Sequence, residues 1–444
     1  MKTPRLRIAI AVAFFGYVLL IRTYDLANSF LMLGEQTRDW AIALGSWTDL
    51  PLTGAPSTAG GRGFGPAYYW ILWIGRVIVG PFTSNLPHGG GIWIALLQSV
   101  ADTWLLVVLA RRVPLALALA MCLFIASAPF DISISGVIWN PPVAAALIKM
   151  ATALALSLGD SPAIWRVAIT AGGAWLAVQA HLSAIFVAAP LITALVAQPL
   201  LRRRWPQAAR VAAAIAAVIV VLQIPYAVAR IRDPEAPAGP AAALGAMARA
   251  ESLNFGTSYS AVVNSTGELL VRQMDTWHFQ WPFLAVALVV VHRWRRDLPL
   301  LAVTVGPIVG ATILFSTWTR SYDSYWFLTA TAAMVMTFGL ALAAMPWPLA
   351  VQGAGAVALA AVLMWQPARI AVSREFFSYP PYGIMRIGSI ELARIAPVLR
   401  DIRVDFEGVH PTMDKYIMYR TLGGRIEPGA PIAYIGDGGR VRVE

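Results

Sequence analysis

Apolar residues in this chain fall in long runs rather than at alternate positions. Runs of about 17–22 mostly apolar residues, enough to cross the hydrocarbon core of a bilayer, centre on 7–24, 91–110, 113–130, 141–158, 163–180, 182–200, 207–229, 297–317, 325–344 and 346–366, with a shorter run at 280–293. The pattern predicts an all-α polytopic membrane protein with about eleven transmembrane helices. One stretch is ambiguous. "PAYYWILWIGRVIVG" at 66–80 is apolar, but it is short and contains Gly75 and Arg76.

Charge decides how that stretch lies. If 66–80 rests in the interface as an aromatic-rich amphipathic helix, three basic clusters (Arg111 and Arg112; Arg202 to Arg204; Arg293, Arg295 and Arg296) fall on the same side as the N-terminus. Basic residues mark the cytoplasmic side, so the N-terminus is expected inside. Segments 25–90, 131–140, 230–279 and the tail from 367 are then external. The start, "MKTPRLRIAIAVAFFGYVLLIRTYDL", is basic and then apolar, with no small-x-small cleavage site, and reads as an uncleaved first helix.

Composition agrees with the runs. The 444 residues are 58% hydrophobic and 13% charged, with a mean hydropathy of +0.65; soluble domains are roughly 45–50% apolar and 25% charged. The net charge of +11 and pI near 10.1 reflect orientation in a bilayer, not nucleic-acid binding. The one cysteine, Cys122, lies in an apolar run, which excludes an intramolecular disulfide and a cysteine zinc site. Two domains are expected: a membrane domain at 1–366 with long external loops 25–90 and 230–279, and a small α/β domain at 367–444. The segment "DPEAPAGPAAALGAMARA" at 233–250 reads as a mobile loop entering a short helix.

Work is therefore expected on the external side, and "GEQTRDW" at 34–40 concentrates charge there just past the first run. On a helix entered near Gly34, Glu35 and Asp39 are four apart and share a face, with Arg38 beside them. Asp102 and Lys149 lie near the middle of two runs, where an unpaired charge costs several kcal/mol, so each must face a partner or a wet cavity: either they pair with each other, or Lys149 faces a lipid-phosphate cleft.

Several of these words, in this order, resemble one family. The acidic residue at the head of the first external loop, the arginine three residues on, a Pro/Gly-rich passage and "GPAYYW" are similar to the polyprenyl-phosphate-sugar-dependent glycosyltransferases of the GT-C fold. That group includes the protein O-mannosyltransferases and the aminoarabinose transferases of lipid A; the PMT-2 or Rgt-like bacterial subgroup is the nearest in flavour. "RR" at 111–112, "IWNPP" at 138–142, "QAHLSA" at 179–184 and "SYDSYWFLTA" at 321–330 extend the resemblance over most of 1–366. Two positions depart from it: the subgroup usually has Asp where this chain has Glu35, and Asn140 stands where the aminoarabinose branch has Asp.

The resemblance implies an inverting sugar transfer from a polyprenyl-phosphate donor to an envelope acceptor (lipid, polysaccharide or protein) on the periplasmic side of a bacterial inner membrane. Such a transfer needs a base for the acceptor hydroxyl and cations for the departing phosphate. Glu35 is the expected base, with Asp39 the alternative. Arg320, Arg38, Arg62 and His181 are the candidates for the phosphate; Arg38 could instead pair with Asp39, and His181 could simply cap a helix. Tyr68, Tyr69, Asn140, Tyr322 and Tyr325 are candidates for the substrate groove. No cofactor is expected: the five histidines are scattered without a metal motif, and a divalent ion would require Glu35 and Asp39 to converge. The rival reading is a transporter or flippase of lipid-linked sugars, although the two halves show no inverted repeat.

Overall fold

The computed structural model describes residues 4–234 except 25, 27–30, 33, 57–60, 84, 86 and 160–161; residues 253–317 except 273–278; residues 323–375; and the strand segments 385–386, 403–406, 432–435 and 441–443. Sixteen α-helices lie among the described residues. A helix or bent helix pair stands at each of the eleven apolar runs. Six are long and apolar enough to cross a membrane: Arg5–Thr23, Pro87–Leu109, Leu182–Leu201, Trp205–Arg232, Ser324–Ala343 and Pro348–Ser373. The number rises to eight if each bent pair is one span. Helices α7 (Asn140–Leu156), α8 (Ile164–Ala180) and α12 (Gln280–Trp294) are shorter, at 17, 17 and 15 residues.

The two bends have local causes. Between α5 (Leu115–Ala126) and α6 (Pro129–Ser135), bent by 59°, Pro129 cannot continue the preceding helix's hydrogen bonding. Between α13 (Leu298–Thr304) and α14 (Gly306–Phe315), bent by 58°, Pro307 does the same. A side chain at Gly306 would also meet Pro190, with Cβ 3.0 Å from that ring's Cβ.

Burial separates inner helices from outer ones. The apolar window of Ser324–Ala343 is 72% buried, and that of α10 (Trp205–Arg232) only 11%. Both are apolar all round, so their sequences look alike; only packing distinguishes a central helix from one facing lipid. Small residues let the inner helices approach closely: Ala144, Ala145 and Ala151 on α7, and Ala171, Ala174 and Ala177 on α8, are all buried.

The expected Asp102–Lys149 pair is present and forms half of a larger cluster. Lys149 Nζ lies 2.9 Å from Asp102 Oδ1 and 3.4 Å from Asp131 Oδ1, and it donates to Gln98 Oε1 at 2.9 Å. Arg22, at the end of α1 (Pro4–Thr23), reaches Asp102 Oδ2 at 2.6 Å and also pairs with Asp131. Two cations and two carboxylates thus neutralise one another among α1, α4 (Pro87–Leu109), α6 and α7. None of the four is more than 3% exposed.

Helix α3 (Ala67–Val79) has 13 residues, or about 20 Å at 1.5 Å per residue. That is shorter than the about 30 Å hydrocarbon core, as α7, α8 and α12 also are. Helix α11 (Phe255–Val271) is tied at both ends to other helices. Asn254 N donates to Ser316 O at 3.0 Å, beside the end of α14, and Arg272 Nη1 donates to Val372 O at 3.1 Å.

The last apolar run corresponds to a helix, α16 (Pro348–Glu375), that continues past the expected domain boundary at 367. The polar residues that end the apolar count are used inside the bundle. Gln366 accepts from Tyr17 at 3.0 Å and donates to Ser127 Oγ at 2.8 Å. Arg369 donates from Nε to Ser127 O at 2.9 Å, with its guanidinium 4.2 Å from the Phe124 ring centroid. Beyond α16, 403–406 pairs parallel with 432–435, which pairs antiparallel with 441–443. Residues 31–32 pair antiparallel with 385–386, joining the segment after α1 to the tail. The remainder of the expected α/β domain, and residues 235–250 of the expected mobile loop, lie outside the described residues.

Candidate functional site

The site begins with α2 (Gly34–Leu44). Gln36, Asp39, Trp40 and Ala43 recur at helical spacing and form its buried face. Trp40 Nε1 donates to Asn85 O at 2.8 Å, and Gln36 Oε1 accepts from Ile138 N at 3.1 Å. These two bonds fix α2 between the chain before α4 and the turn that leads into α7.

Asp39 is the centre of the arrangement. It is 1% exposed and accepts three hydrogen bonds: Oδ2 from the Tyr68 hydroxyl at 3.0 Å, and Oδ1 from the Tyr69 hydroxyl at 3.0 Å and Arg38 Nε at 2.8 Å. Tyr68 and Tyr69 open α3, where the buried positions Leu72, Gly75 and Val79 continue the same face. A Cβ at Gly75 would lie 2.2 Å from Trp93 Cδ1, so α3 sits tight on α4 at that glycine. Burial raises the Asp39 pKa, against the pull of Arg38 and the two phenols. Burial first, and then Asp39, raise both tyrosine values, so the hydroxyls remain protonated donors.

The two carboxylates that share a face by spacing are not equivalent in the fold. Glu35 is exposed on the first turn of α2, whereas Asp39, one turn on, is covered by α3. The four-residue spacing put both on one side of the helix, but α3 reaches only the second turn. Arg38 lies half-buried between them; its pairing with Asp39 is one of the two roles open from the sequence, and it also feels the Glu35 charge.

Arg62 stands exposed at the rim. Residues 54–56 and 61–63 form a short antiparallel clasp, with Gly54 N to Gly63 O at 3.1 Å, Gly63 N to Ala55 O at 3.0 Å and a bridge between Pro56 and Arg62. Gly61, at φ 68°, makes the turn possible. Arg62 is close enough to Tyr69 to lower that phenol's pKa slightly. Just past the clasp, Gly65 lies against Gln179 near the end of α8: a Cβ there would come within 2.5 Å of its Cδ.

That contact leads to the second group. Asn140 Nδ2 donates to Ala180 O at 3.0 Å, tying the start of α7 to the end of α8. His181 follows, with Nδ1 2.7 Å from Ser183 Oγ and its ring 6.0 Å from Tyr325. Tyr325 sits in the 3-10 turn Ser324–Ala330, 4.7 Å from the Trp139 ring. Asn140, His181 and Tyr325 therefore meet, and Gly65 with Gln179 connects them to the Asp39 group. Arg320 and Tyr322 lie outside the described residues. Gln36, Trp139 and Gln179 were not legible as partners, because their roles are long-range hydrogen bonds and ring contacts.

Burial pushes the His181 pKa down to about 4, so the ring is neutral at pH 7 in the chain as it stands. An unfolded chain protonates near pH 6.5 and the folded one only near the depressed value, so stability is full above about pH 6.5 and falls between there and about 4. Replacing His181 with Gln should flatten that part of the Tm-against-pH curve. An unchanged acid limb would assign it to another group.

No family model matches this chain, and no curated protein sequence does. Solved structures do match its fold. ArnT from Cupriavidus metallidurans in the apo state aligns over 96% of this chain and 86% of its own, with a TM-score of 0.58 and 13% identity. ArnT from the same organism bound to undecaprenyl phosphate aligns over 97% and 85%, with a TM-score of 0.55 and 14% identity. The chain thus has an ArnT-like fold, which agrees with the GT-C expectation at the level of architecture.

Proposed function

We propose that this chain is an inverting membrane glycosyltransferase that moves a sugar from a polyprenyl-phosphate donor to an envelope acceptor on the periplasmic face of a bacterial inner membrane. The observation that carries this reading is the charge arrangement on α2, an exposed Glu35 beside an Arg38 locked to the buried Asp39, set in an ArnT-like fold. The undecaprenyl phosphate in the matched ArnT structure supports the donor class. We read eleven crossings, counting each bent pair once and including α7, α8 and α12, with the N-terminus inside and the tail outside. Within the GT-C group, the sequence words favour the PMT-2 or Rgt-like branch.

In this reading Glu35 takes the proton from the acceptor hydroxyl as that oxygen attacks the anomeric carbon. The carbon–oxygen bond to the phosphate breaks on the opposite face, and its electron pair leaves with the polyprenyl phosphate. Arg38 and Arg62 stabilise the charge gathering on the phosphate, and Arg320 is a third candidate. Both Asp39 oxygens are occupied by donors, so Asp39 positions Arg38 and the two tyrosines. Tyr325 and Asn140 mark the groove for sugar or acceptor.

The test uses purified full-length chain in lipid nanodiscs with labelled undecaprenyl-phosphate hexose, N-acetylhexosamine or aminoarabinose and an envelope lipid extract. The expected result is a labelled glycoconjugate and free undecaprenyl phosphate. In proteoliposomes, movement of the donor between leaflets with its glycosidic bond intact would replace the transferase with the flippase reading.

A further inference from the structure

The end of the bundle opposite α2, α3 and α11 holds a cavity of about 750 Å³ that the proposed transfer does not use. Its wall is assembled from segments far apart in sequence: Arg112 after α4, Leu158 and Gly159 after α7, Gln198 and Arg202 at the end of α9 (Ile185–Leu201), and His292 to Asp297, from the last turn of α12 to the residue before α13. Arginines 112, 202, 293, 295 and 296 line it, with Asp297 the single carboxylate among the described lining residues.

Orientation in a membrane requires basic residues on this side, but it does not require them to surround a concavity. Here the wall is built. Gln198 donates from Nε2 to Arg296 O at 2.8 Å and accepts from Leu298 N at 2.9 Å, pinning the α12–α13 connection to α9. Arg112 donates from Nε to Leu156 O at 3.0 Å and reaches Asp297 Oδ2 at 3.0 Å. Asp297 also caps α13 by accepting from Leu300 N at 3.2 Å. Asp297 is therefore committed to helix capping and one arginine, and the described lining residues carry an excess of four positive charges (five arginines less one aspartate).

Large apolar side chains stand at the same end. Leu201 is 72% exposed, Trp205 65% and Trp165 64%. Tryptophan at a helix end is the signature of the headgroup level of a bilayer, so the cavity opens where lipid phosphates lie. A compact anion with phosphate oxygens would meet the arginine forks, and its chains could lie along the exposed apolar face of α10.

We propose that this cavity binds the phosphate headgroup of an anionic lipid in the leaflet it faces. A free phosphate compound shares the recognition chemistry but makes no use of the exposed Leu201 and Trp205 beside the arginines.

The experiment titrates full-length protein in detergent with cardiolipin, phosphatidylcholine or inorganic pyrophosphate, reading bound species by native mass spectrometry and Tm by thermal unfolding. Cardiolipin should bind and raise Tm, and phosphatidylcholine and pyrophosphate should do neither. The double variant Arg202→Gln with Arg293→Gln should weaken cardiolipin roughly 10–100-fold, the range for losing hydrogen bonds to a charged group. Arg202→Lys with Arg293→Lys keeps the charge and the orientation signal but loses the forks; it should bind about threefold to tenfold more weakly than the parent. That pair carries the test if the glutamine pair fails to fold. Unchanged cardiolipin affinity in the lysine pair, equal binding of phosphatidylcholine, or protection by pyrophosphate in place of cardiolipin would overturn the proposal.

Discussion

Glu35→Gln should lower turnover by roughly 10²–10⁴-fold, the usual contribution of a positioned general base, while the protein folds and melts as the parent does. Glu35 is exposed on the first turn of α2, and the amide keeps the size and shape of its side chain. Glu35→Asp, which restores the residue usual in the resembled family with a shorter reach, should retain measurable activity. Asp39→Asn should divide its effect the other way. Its carboxylate takes three donors inside the fold, so the amide loses the charge that holds Arg38 and meets a donor with its own NH₂. A lower Tm and a moderate fall in turnover are expected. Full turnover in Glu35→Gln with loss in Asp39→Asn would transfer the role of base to Asp39. Full activity in both would end the proposed mechanism.

Lys149→Met should destabilise the membrane domain by about 3–5 kcal/mol, as expected when one partner of a buried ion pair is removed and an uncompensated charge remains. Lys149 is 2% exposed and contacts Asp102, Asp131 and Gln98, and its loss leaves two carboxylates facing Arg22 alone. Combining Lys149→Met with Asp102→Asn restores neutrality and should recover part of the loss, so the double variant should be more stable than the sum of the single ones predicts. Denaturant titration of the four proteins in one detergent measures this. Additive effects would mean that the four charges do not act as a unit.

The amino-acid pattern was most informative where burial in lipid leaves little choice. A run of about twenty apolar residues must satisfy its backbone internally, so helices could be placed at all eleven runs without knowledge of their neighbours. The Asp102–Lys149 pair was legible for the same reason, since neither charge could remain alone at that depth. Arg22 and Asp131 were not, because each lies near the end of a run, where a charge ordinarily reaches water. That the last helix runs past 367 was not legible, because Gln366 and Arg369 look like the end of a span until Tyr17, Ser127 and Phe124 are seen to receive them.

At the candidate site the sequence supplied the residue types but not their division of labour. Glu35, Arg38 and Asp39 are spaced to share a helix face, and spacing alone treats the two carboxylates alike. The difference arises when Tyr68 and Tyr69 bring α3 over the second turn of α2 and close Asp39 from water, leaving Glu35 outside. The packing that lowers the His181 pKa was likewise not visible in the sequence. What the sequence by itself determined was the class of molecule, its helical segments and the stretch after the first run where charge is concentrated, because hydrophobic runs act locally. Which carboxylate is covered, which charges neutralise one another and which arginines surround a cavity depend on contacts between segments up to almost two hundred residues apart, and those only the tertiary structure decided.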